Sequence, residues 1–355
     1  MIRVVVAEDS STARALLVSI LSAEAGIHVV GEARTGTEAV EMAERLEPDL
    51  ITMDVQMPGL DGIEATRRVM TRSPRPILVV SSAAGSDVTL SLEAMRAGAL
   101  MVIRKPVGVT SPDYEGDRRQ LVSMVRALAQ VKVVRRHGST SITTAVDASV
   151  SRTPSAMPTW TMPSTSLELL AIGASTGGPA ALRTILSDLP ASFSLPILIV
   201  QHIAQGFTGG LASWLGDDCA LRVKLAELGE PVTAGSVYIA PDDRHLGVRR
   251  DASGALRILL DSAPLIGAFR PSATYLFRSC AAQVGRGVLA LILTGMGDDG
   301  VDGLRDVHRA GGQVLAQDEA SSVIYGMPRE AHRAGIVHHV VSLDRVASRL
   351  RQMAP

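Results

Sequence analysis

Over the first 130 positions, short runs of apolar, β-branched residues alternate with segments whose apolar residues recur at helical spacing. The runs at 2–7, 27–32, 49–53, 76–81 and 100–103 are strand-length and show little polar alternation, which is how strands buried on both faces read. The segments at 11–24, 37–46, 62–71 and 87–97 read as helices, with Ser86 or Asp87 placed to cap the last. A further amphipathic stretch covers 114–135. Five strand–helix alternations predict one α/β domain over residues 1–130, built on a doubly wound, five-stranded parallel sheet.

The pattern then lapses. Residues 137–166 are rich in Ser, Thr and Pro (among them Ser139, Thr140, Thr143, Pro154, Pro158 and Pro163) and keep no period, so 131–166 is assigned as a linker. Strand and helix signals resume at Leu167, with apolar strands expected near 168–172, 196–201, 237–240, 287–293 and 312–316. Residues 167–355 are expected to form a second α/β domain with a mostly parallel sheet. A chain of 355 residues that is 46% hydrophobic is long enough for two cores.

Composition narrows the partners. A formal net charge of -1 gives no electrostatic reason to grip nucleic acid, so protein partners are expected. Two cysteines, Cys219 and Cys280, supply neither a disulfide framework nor metal-site spacing. The chain opens on a strand rather than a leader, and no apolar run reaches membrane-spanning length. A cytoplasmic protein without membrane insertion is the expectation.

In the first domain the candidate chemistry falls at strand ends. Glu8 and Asp9 close the first strand, Asp54 closes the third within Asp54-Val55-Gln56-Met57-Pro58-Gly59-Leu60-Asp61-Gly62, and Lys105-Pro106 follows the fifth. The carboxyl ends of an open parallel sheet form its ligand crevice, so these groups converge. Carboxylates packed this closely repel one another unless a hard cation sits among them, and Mg²⁺ takes oxygen ligands of this kind. Lys105 is placed to neutralise a phosphoryl group on Asp54, and the Ser81 hydroxyl, ending the fourth strand, to hydrogen-bond it. Acids that only cap helices account for any one of these residues but not for the strand-end placement of the set. In these motifs residues 1–130 resemble a response-regulator receiver domain. The resemblance implies phosphorylation of Asp54 by a sensor histidine kinase, with Mg²⁺ held by Glu8, Asp9 and Asp54. Val102 stands where many receivers carry an aromatic residue.

In the second domain, Ile172-Gly173-Ala174-Ser175-Thr176-Gly177-Gly178-Pro179 follows a strand and opens a helix that Pro179 suits. It reads either as a phosphate-cradling loop or as an elbow presenting Ser175 as a nucleophile, and alone the motif does not decide. His202 follows the apolar strand 196–201, which puts it on the same carboxyl edge, whereas His245, His308, His332, His338 and His339 read as core or loop histidines. The strand through Leu293 delivers Asp298 and Asp299 to that edge as well. A serine, a histidine base and a carboxylate that fixes its tautomer form a hydrolytic set. Spacing alone does not choose between the two adjacent acids, and the order Ser, His, Asp is not that of the α/β-hydrolases.

This half resembles the catalytic domain of the chemotaxis protein-glutamate methylesterase family, and the whole chain resembles that family in domain order. The matching stretches are Ile172 to Gly178, Gln201-His202 with Gly206-Phe207-Thr208, Tyr238 to Pro241, Arg270-Pro271-Ser272, Leu293 to Gly300, and Gln317-Asp318-Glu319 with Tyr325 to Arg329. The resemblance implies Ser175 as nucleophile, His202 as general base and Asp299 as orienting carboxylate, with Thr176 and Met296 around the oxyanion. It implies hydrolysis of glutamyl methyl esters, and deamidation of selected glutamines, on the cytoplasmic helices of methyl-accepting chemoreceptors. Mg²⁺ serves the receiver domain, and the ester hydrolysis calls for no cofactor. Asp242, Phe269 and Thr274 depart from the family pattern at positions expected to lie off the triad and to shape loops and substrate grip. Two alternatives stand beside this reading: a catalytically inactive, phosphorylation-dependent binding module, and an esterase of a non-motility chemosensory pathway. The fused receiver is expected to cover the carboxyl edge until Asp54 is phosphorylated.

Overall fold

In the computed structural model, which describes residues 1–82, 86–131, 133 and 167–354 (backbone only at 86 and 87), the apolar runs of the first domain become five parallel strands. These are β1 (Ile2–Ala7), β2 (Ile27–Ala33), β3 (Leu50–Met53), β4 (Ile77–Ser81) and β5 (Met101–Arg104), in the spatial order β2-β1-β3-β4-β5. Helices α1 (Ser11–Ser22), α2 (Gly36–Leu46), α3 (Gly62–Arg72), α4 (Ser86–Ala97) and α5 (Tyr114–Leu128) connect and flank them. Every residue of β3 and β4 is buried, which is why neither strand alternates. Side-chain caps set helix starts: Thr35 Oγ1 accepts the Glu38 N–H and Asp61 Oδ1 the Glu64 N–H. The carboxyl edge is drawn level by backbone bonds from Asp54 N–H to the Ala7 carbonyl and from Lys105 N–H to the Ser81 carbonyl, both 2.9 Å.

Helix α5 stops at Leu128 instead of continuing to 135. The N–H groups of Gln130 and Val131 reach back only three residues, to Ala127 and Leu128, the tightening of a closing turn. The linker expected at 131–166 lies, apart from 131 and 133, outside the described residues, as do the side chains of Ser86 and Asp87.

The second domain is built from β6 (Leu169–Ala174), β7 (Ile197–Gln201), β8 (Arg222–Leu225), β9 (Ser236–Ile239), a hairpin of β10 (His245–Arg250) and β11 (Leu256–Asp261), then β12 (Val288–Ile292), β13 (Gln313–Gln317) and β14 (His339–Val341). Its helices are α6 (Gly178–Ser187), α7 (Thr208–Gly216), α8 (Ala273–Val284), α9 (Val301–Arg309), α10 (Met327–Arg333) and α11 (Leu343–Met353). Seven strands form one sheet, β14-β13-β12-β6-β7-β9-β8, and every neighbouring pair is parallel. From β6 the chain winds outward to β8 and β9, then crosses back through α8 to build the other half from β12. The carboxyl ends of β6 and β12 therefore flank a switch point, where such sheets open a crevice. Alternate residues of β6 serve two cores: Leu170, Ile172 and Ala174 join Leu182, Leu211 and Leu350, while Leu169 and Ala171 join Phe277 and Leu304.

The strands β8, β14 and the hairpin escaped sequence reading for a physical reason. Arg222-Val-Lys-Leu and His339-Val-Val are short edge strands that bury one side at most, and Gly247 interrupts the apolar run of β10.

The two domains dock through α4 and α7. One apolar cluster runs from Val88 and Leu92 into Leu211 and Trp214. A Cβ on Gly210 would lie 2.4 Å from Val88 Cγ1, so the helices approach at a distance only glycine allows. At the rim, Arg96 Nη2 lies 3.1 Å from Asp217 Oδ2 and 3.5 Å from Asp218 Oδ2, with its guanidinium 5.7 Å from the Trp214 ring centre. Among the described residues no helix is long and apolar enough to cross a membrane.

Candidate active site

Ser175 stands in the turn between β6 and α6. Gly177 makes that turn with φ of 78°, and a Cβ there would lie 2.6 Å from Val323, so both backbone shape and space call for glycine. The Ser175 N–H donates to the Thr294 carbonyl at 3.0 Å, and its own carbonyl accepts the Gly178 N–H at 2.8 Å. Gln201, closing β7, donates from Nε2 to the carbonyls of Ser175 (2.8 Å) and His202 (2.7 Å), tying the serine turn to the histidine turn. Sequence reading gave Gln201 no role. Its signal is a buried carboxamide directly before the candidate base.

His202 Nε2 lies 2.9 Å from Asp299 Oδ2, and His202 Nδ1 is buried without a hydrogen-bond partner. Asp299 is 7% exposed, whereas Asp298 is exposed on the surface, so the histidine selects the acid that spacing could not. The Asp299 carboxylate sits at the N-terminus of α8. Its Oδ1 accepts the Ser272 hydroxyl (2.7 Å) and the Thr274 N–H (3.1 Å), and its Oδ2 accepts the Ala273 N–H (2.7 Å). In the sequence Ser272 stands out only within the family stretch Arg270-Pro271-Ser272, without a role of its own.

Burial works to raise the Asp299 carboxyl, but His202, Ser272 and the Ala273 N–H outweigh it and hold the group down at about 2, against an ordinary 3.8. A carboxyl depressed in the folded protein adds stability above its unfolded value and loses it as the pH falls through the folded one. The contribution is about 2 kcal/mol, present above pH ~4 and lost toward pH ~2. Denaturant titrations across this range should show a shallower pH dependence in Asp299→Asn than in wild type. Equal slopes would mean that the carboxylate is not held this way.

Two of the three departures noted in the sequence touch the triad, contrary to expectation. The ring of Phe269 stacks on His202 with centroids 4.0 Å apart and planes 3° from parallel. Thr274 gives its N–H to Asp299 and accepts the Gly300 N–H on its hydroxyl at 2.7 Å. Only Asp242 stays off it, accepting the Gly206 N–H at 2.9 Å. The side-chain proximity of residues 67 positions apart in the chain left no local signal to read.

Ser175, Thr176, His202 and Met296 line one cavity of about 380 Å³, together with Asp242 and Phe269. Its other wall belongs to the first domain: Met101, Gln120, Ser123 and Met124. The Thr176 hydroxyl lies 3.9 Å from Met124 Sδ, and the Ser123 hydroxyl 3.8 Å from Met296 Sδ.

The second candidate site is the carboxyl edge of the first sheet. Oxygens of Glu8, Asp9 and Asp54 lie within 4.8 Å of one another. Lys105 Nζ bonds Asp54 Oδ2 at 2.8 Å and Glu8 Oε1 at 3.1 Å. It also lies 2.9 Å from Glu8 Oε2, but at an angle that leaves this buried oxygen without a hydrogen bond. Burial, and then the charge of Asp54, push the Glu8 carboxyl up, and burial pushes Asp54 up, both against the pull of Lys105. An orphaned carboxylate oxygen among crowded acids fits a hard divalent cation. The Ser81 hydroxyl, on the adjoining strand end, donates to the Ser82 carbonyl at 3.4 Å.

A receiver-like acidic pocket on one domain, and on the other a serine, a histidine and an aspartate around a cavity that the first domain walls through Met101, Gln120, Ser123 and Met124, define the class as a response regulator with a hydrolase output. Comparison with known proteins agrees. Residues 4–111 match the response regulator receiver domain and residues 170–350 the CheB methylesterase domain. The chain is 53% identical to protein-glutamate methylesterase/protein-glutamine glutaminase 4 of Myxococcus xanthus, over 98% of this chain and 96% of that one. It is 47% identical to the corresponding enzyme 3 of Anaeromyxobacter dehalogenans, over 99% and 98%. The crystallised catalytic domain of Thermotoga maritima CheB methylesterase is 38% identical, with a TM-score of 0.52 over 54% of this chain and 100% of that one. The chain belongs to the CheB methylesterase family, with an N-terminal receiver domain.

Proposed function

We propose that this protein hydrolyses glutamyl methyl esters, and deamidates selected glutamines, on the cytoplasmic helices of methyl-accepting chemoreceptors, using Ser175, His202 and Asp299. The observation that carries the reading is the state of His202. Its Nε2 is committed to Asp299, and its Nδ1 is buried and unpartnered beside the cavity that Ser175 lines. With the Nε2–H donated to the Asp299 carboxylate, Nδ1 is the proton acceptor. It takes the Ser175 proton as Oγ bonds to the ester carbonyl carbon, and the carbonyl oxygen takes the negative charge. Thr176 and Met296, whose N–H groups go to no backbone carbonyl among the described residues, are the candidate donors to that oxygen. Each well-placed donor contributes about 3 kcal/mol. The methoxy group leaves with the proton from His202 as methanol. Water, deprotonated in turn by Nδ1, then attacks the acyl-serine and frees the glutamate. A glutamine side chain follows the same course with ammonia as the leaving group. Methyl-labelled receptor membranes incubated with the Asp54-phosphorylated protein should release methanol, and no release would sink this assignment.

Asp54 is the phosphoacceptor and a sensor histidine kinase its donor. Glu8, Asp9 and Asp54 would hold a Mg²⁺ ion, which would supply positive charge for the phosphoryl transfer. Lys105 then exchanges its bond to Asp54 for one to the phosphoryl group, and Ser81 turns its hydroxyl the same way. Both residues adjoin β5, whose Met101 walls the cavity, and α5 reaches the two candidate oxyanion residues through Ser123 and Met124. Docked in this way, the receiver denies a receptor helix access to Ser175. The Arg96 contacts with Asp217, Asp218 and Trp214 help to hold it there. Arg96→Ala should raise the activity of the unphosphorylated protein up to about fivefold, as expected for partly exposed ion pairs, while the phosphorylated rate stays unchanged. Equal rates of wild type and variant before phosphorylation would show that this rim does not contribute to docking.

A further inference from the structure

The geometry points to Phe269 as a positioning residue for the His202 base, an inference that rests on the esterase reading above. His202 hangs on a single side-chain hydrogen bond, Nε2 to Asp299 at 2.9 Å. One such bond fixes a point on the ring and leaves the ring free to turn about it. The Phe269 face, 4.0 Å away and 3° from parallel, fixes the plane. With point and plane both set, Nδ1 keeps its aim toward the cavity.

Phe269 is itself held. Its N–H and carbonyl pair with Ile266 at 3.1 and 3.2 Å, and the next residue, Arg270, grips Asp243 Oδ1 from Nε (2.8 Å) and Nη2 (2.6 Å). Three residues beyond Phe269, Ser272 begins the row of donors that fixes Asp299. One short segment thus sets both the base and the acid that orients it, so the two cannot drift independently. Phe269 also borders both the Ser175 cavity and a neighbouring one lined by Asp298, Asp302 and Arg305. The ring acts on the reaction as well as on the ground state. His202 becomes a cation only after taking the Ser175 proton, and an aromatic face attracts a cation more than a neutral ring. An interaction that strengthens on the way to the transition state appears in kcat rather than KM.

The test is steady-state methanol release by the phosphorylated full-length protein and its Phe269→Leu, Phe269→Tyr and His202→Ala variants, with melting temperatures. Phe269→Leu, which keeps bulk but no flat face, should lower kcat roughly ten- to thirtyfold with KM within about twofold. Phe269→Tyr should restore kcat to within about threefold of wild type. Wild-type kcat in Phe269→Leu, beside a dead His202→Ala, would leave the esterase reading standing and overturn the positioning role. So would an equal loss in the Leu and Tyr variants, which would mark Phe269 as structural only. If the wild type itself releases no methanol, the esterase reading fails. The positioning role is then judged by nuclear magnetic resonance of the His202 Nε2 proton. Faster exchange with solvent in Phe269→Leu than in wild type supports it, and equal exchange overturns it.

Discussion

Ser175→Ala is expected to lower methanol release at least a thousandfold and to leave the fold intact. Ser175 enters the bonds that shape its turn through its backbone alone: its N–H donates to the Thr294 carbonyl, and its carbonyl accepts the Gly178 N–H and the Gln201 carboxamide. Deleting one hydroxyl from a residue at the cavity wall opens no core void, so the melting temperature should move little. The loss of rate is large because nucleophile, base and acid act as one unit. Asp299→Asn is the companion experiment. It keeps the shape but removes the charge that fixes the His202 tautomer, and a loss approaching ten-thousandfold is the scale for such a change. Asp298→Asn, on an exposed neighbour, should be nearly silent. Residual activity above about a thousandth in Ser175→Ala, with unchanged receptor binding, would point to another nucleophile.

Residues 167–355 expressed alone should run about ten- to a thousandfold faster than the unphosphorylated full chain, the range that a docking bias of a few kcal/mol produces. The crystallised Thermotoga domain, matched over its whole length, supports folding of this half by itself. Removing the first domain takes Met101, Gln120, Ser123 and Met124 off the Ser175 cavity and leaves Thr176 and Met296 uncovered. Full-length Asp54→Ala should remain at basal rate in the presence of kinase and ATP. A truncated domain no faster than the unphosphorylated chain would rule out occlusion, and the receiver would then act by creating contacts with the receptor.

Much of this was legible because both sites hang on strand ends. An apolar run that stops at Ala7, Ser81, Gln201 or Leu293 announces where the next polar residue will stand, and the parallel arrangement puts all such ends on one edge. Glu8, Asp54, Lys105, Ser175, His202 and the Asp298-Asp299 pair were all found this way. The choice between the two acids had no local signal, because it depends on which one turns inward to the start of α8. Phe269 was misjudged for the same reason: its partner lies across a loop whose path is set by Arg270, Asp243 and the backbone of Ile266, none of which carries a period. The edge strands β8 and β14 were lost because a strand with one buried side and three or four residues does not outweigh its charged or polar neighbours.

The apolar seam where Val88 and Leu92 meet Gly210 and Trp214 gives the switch a thermal character. Separating the domains wets that seam, and the force that keeps apolar surfaces together weakens on cooling. Under the occlusion proposed above, the docked state is therefore held more loosely in the cold, and the open fraction of unphosphorylated molecules should grow as the temperature drops. Warming drives the seam shut just as it speeds the chemistry of each open molecule. The two trends oppose one another, so under the occlusion proposed above methanol release by the unphosphorylated chain should climb less steeply with temperature than release by residues 167–355 alone.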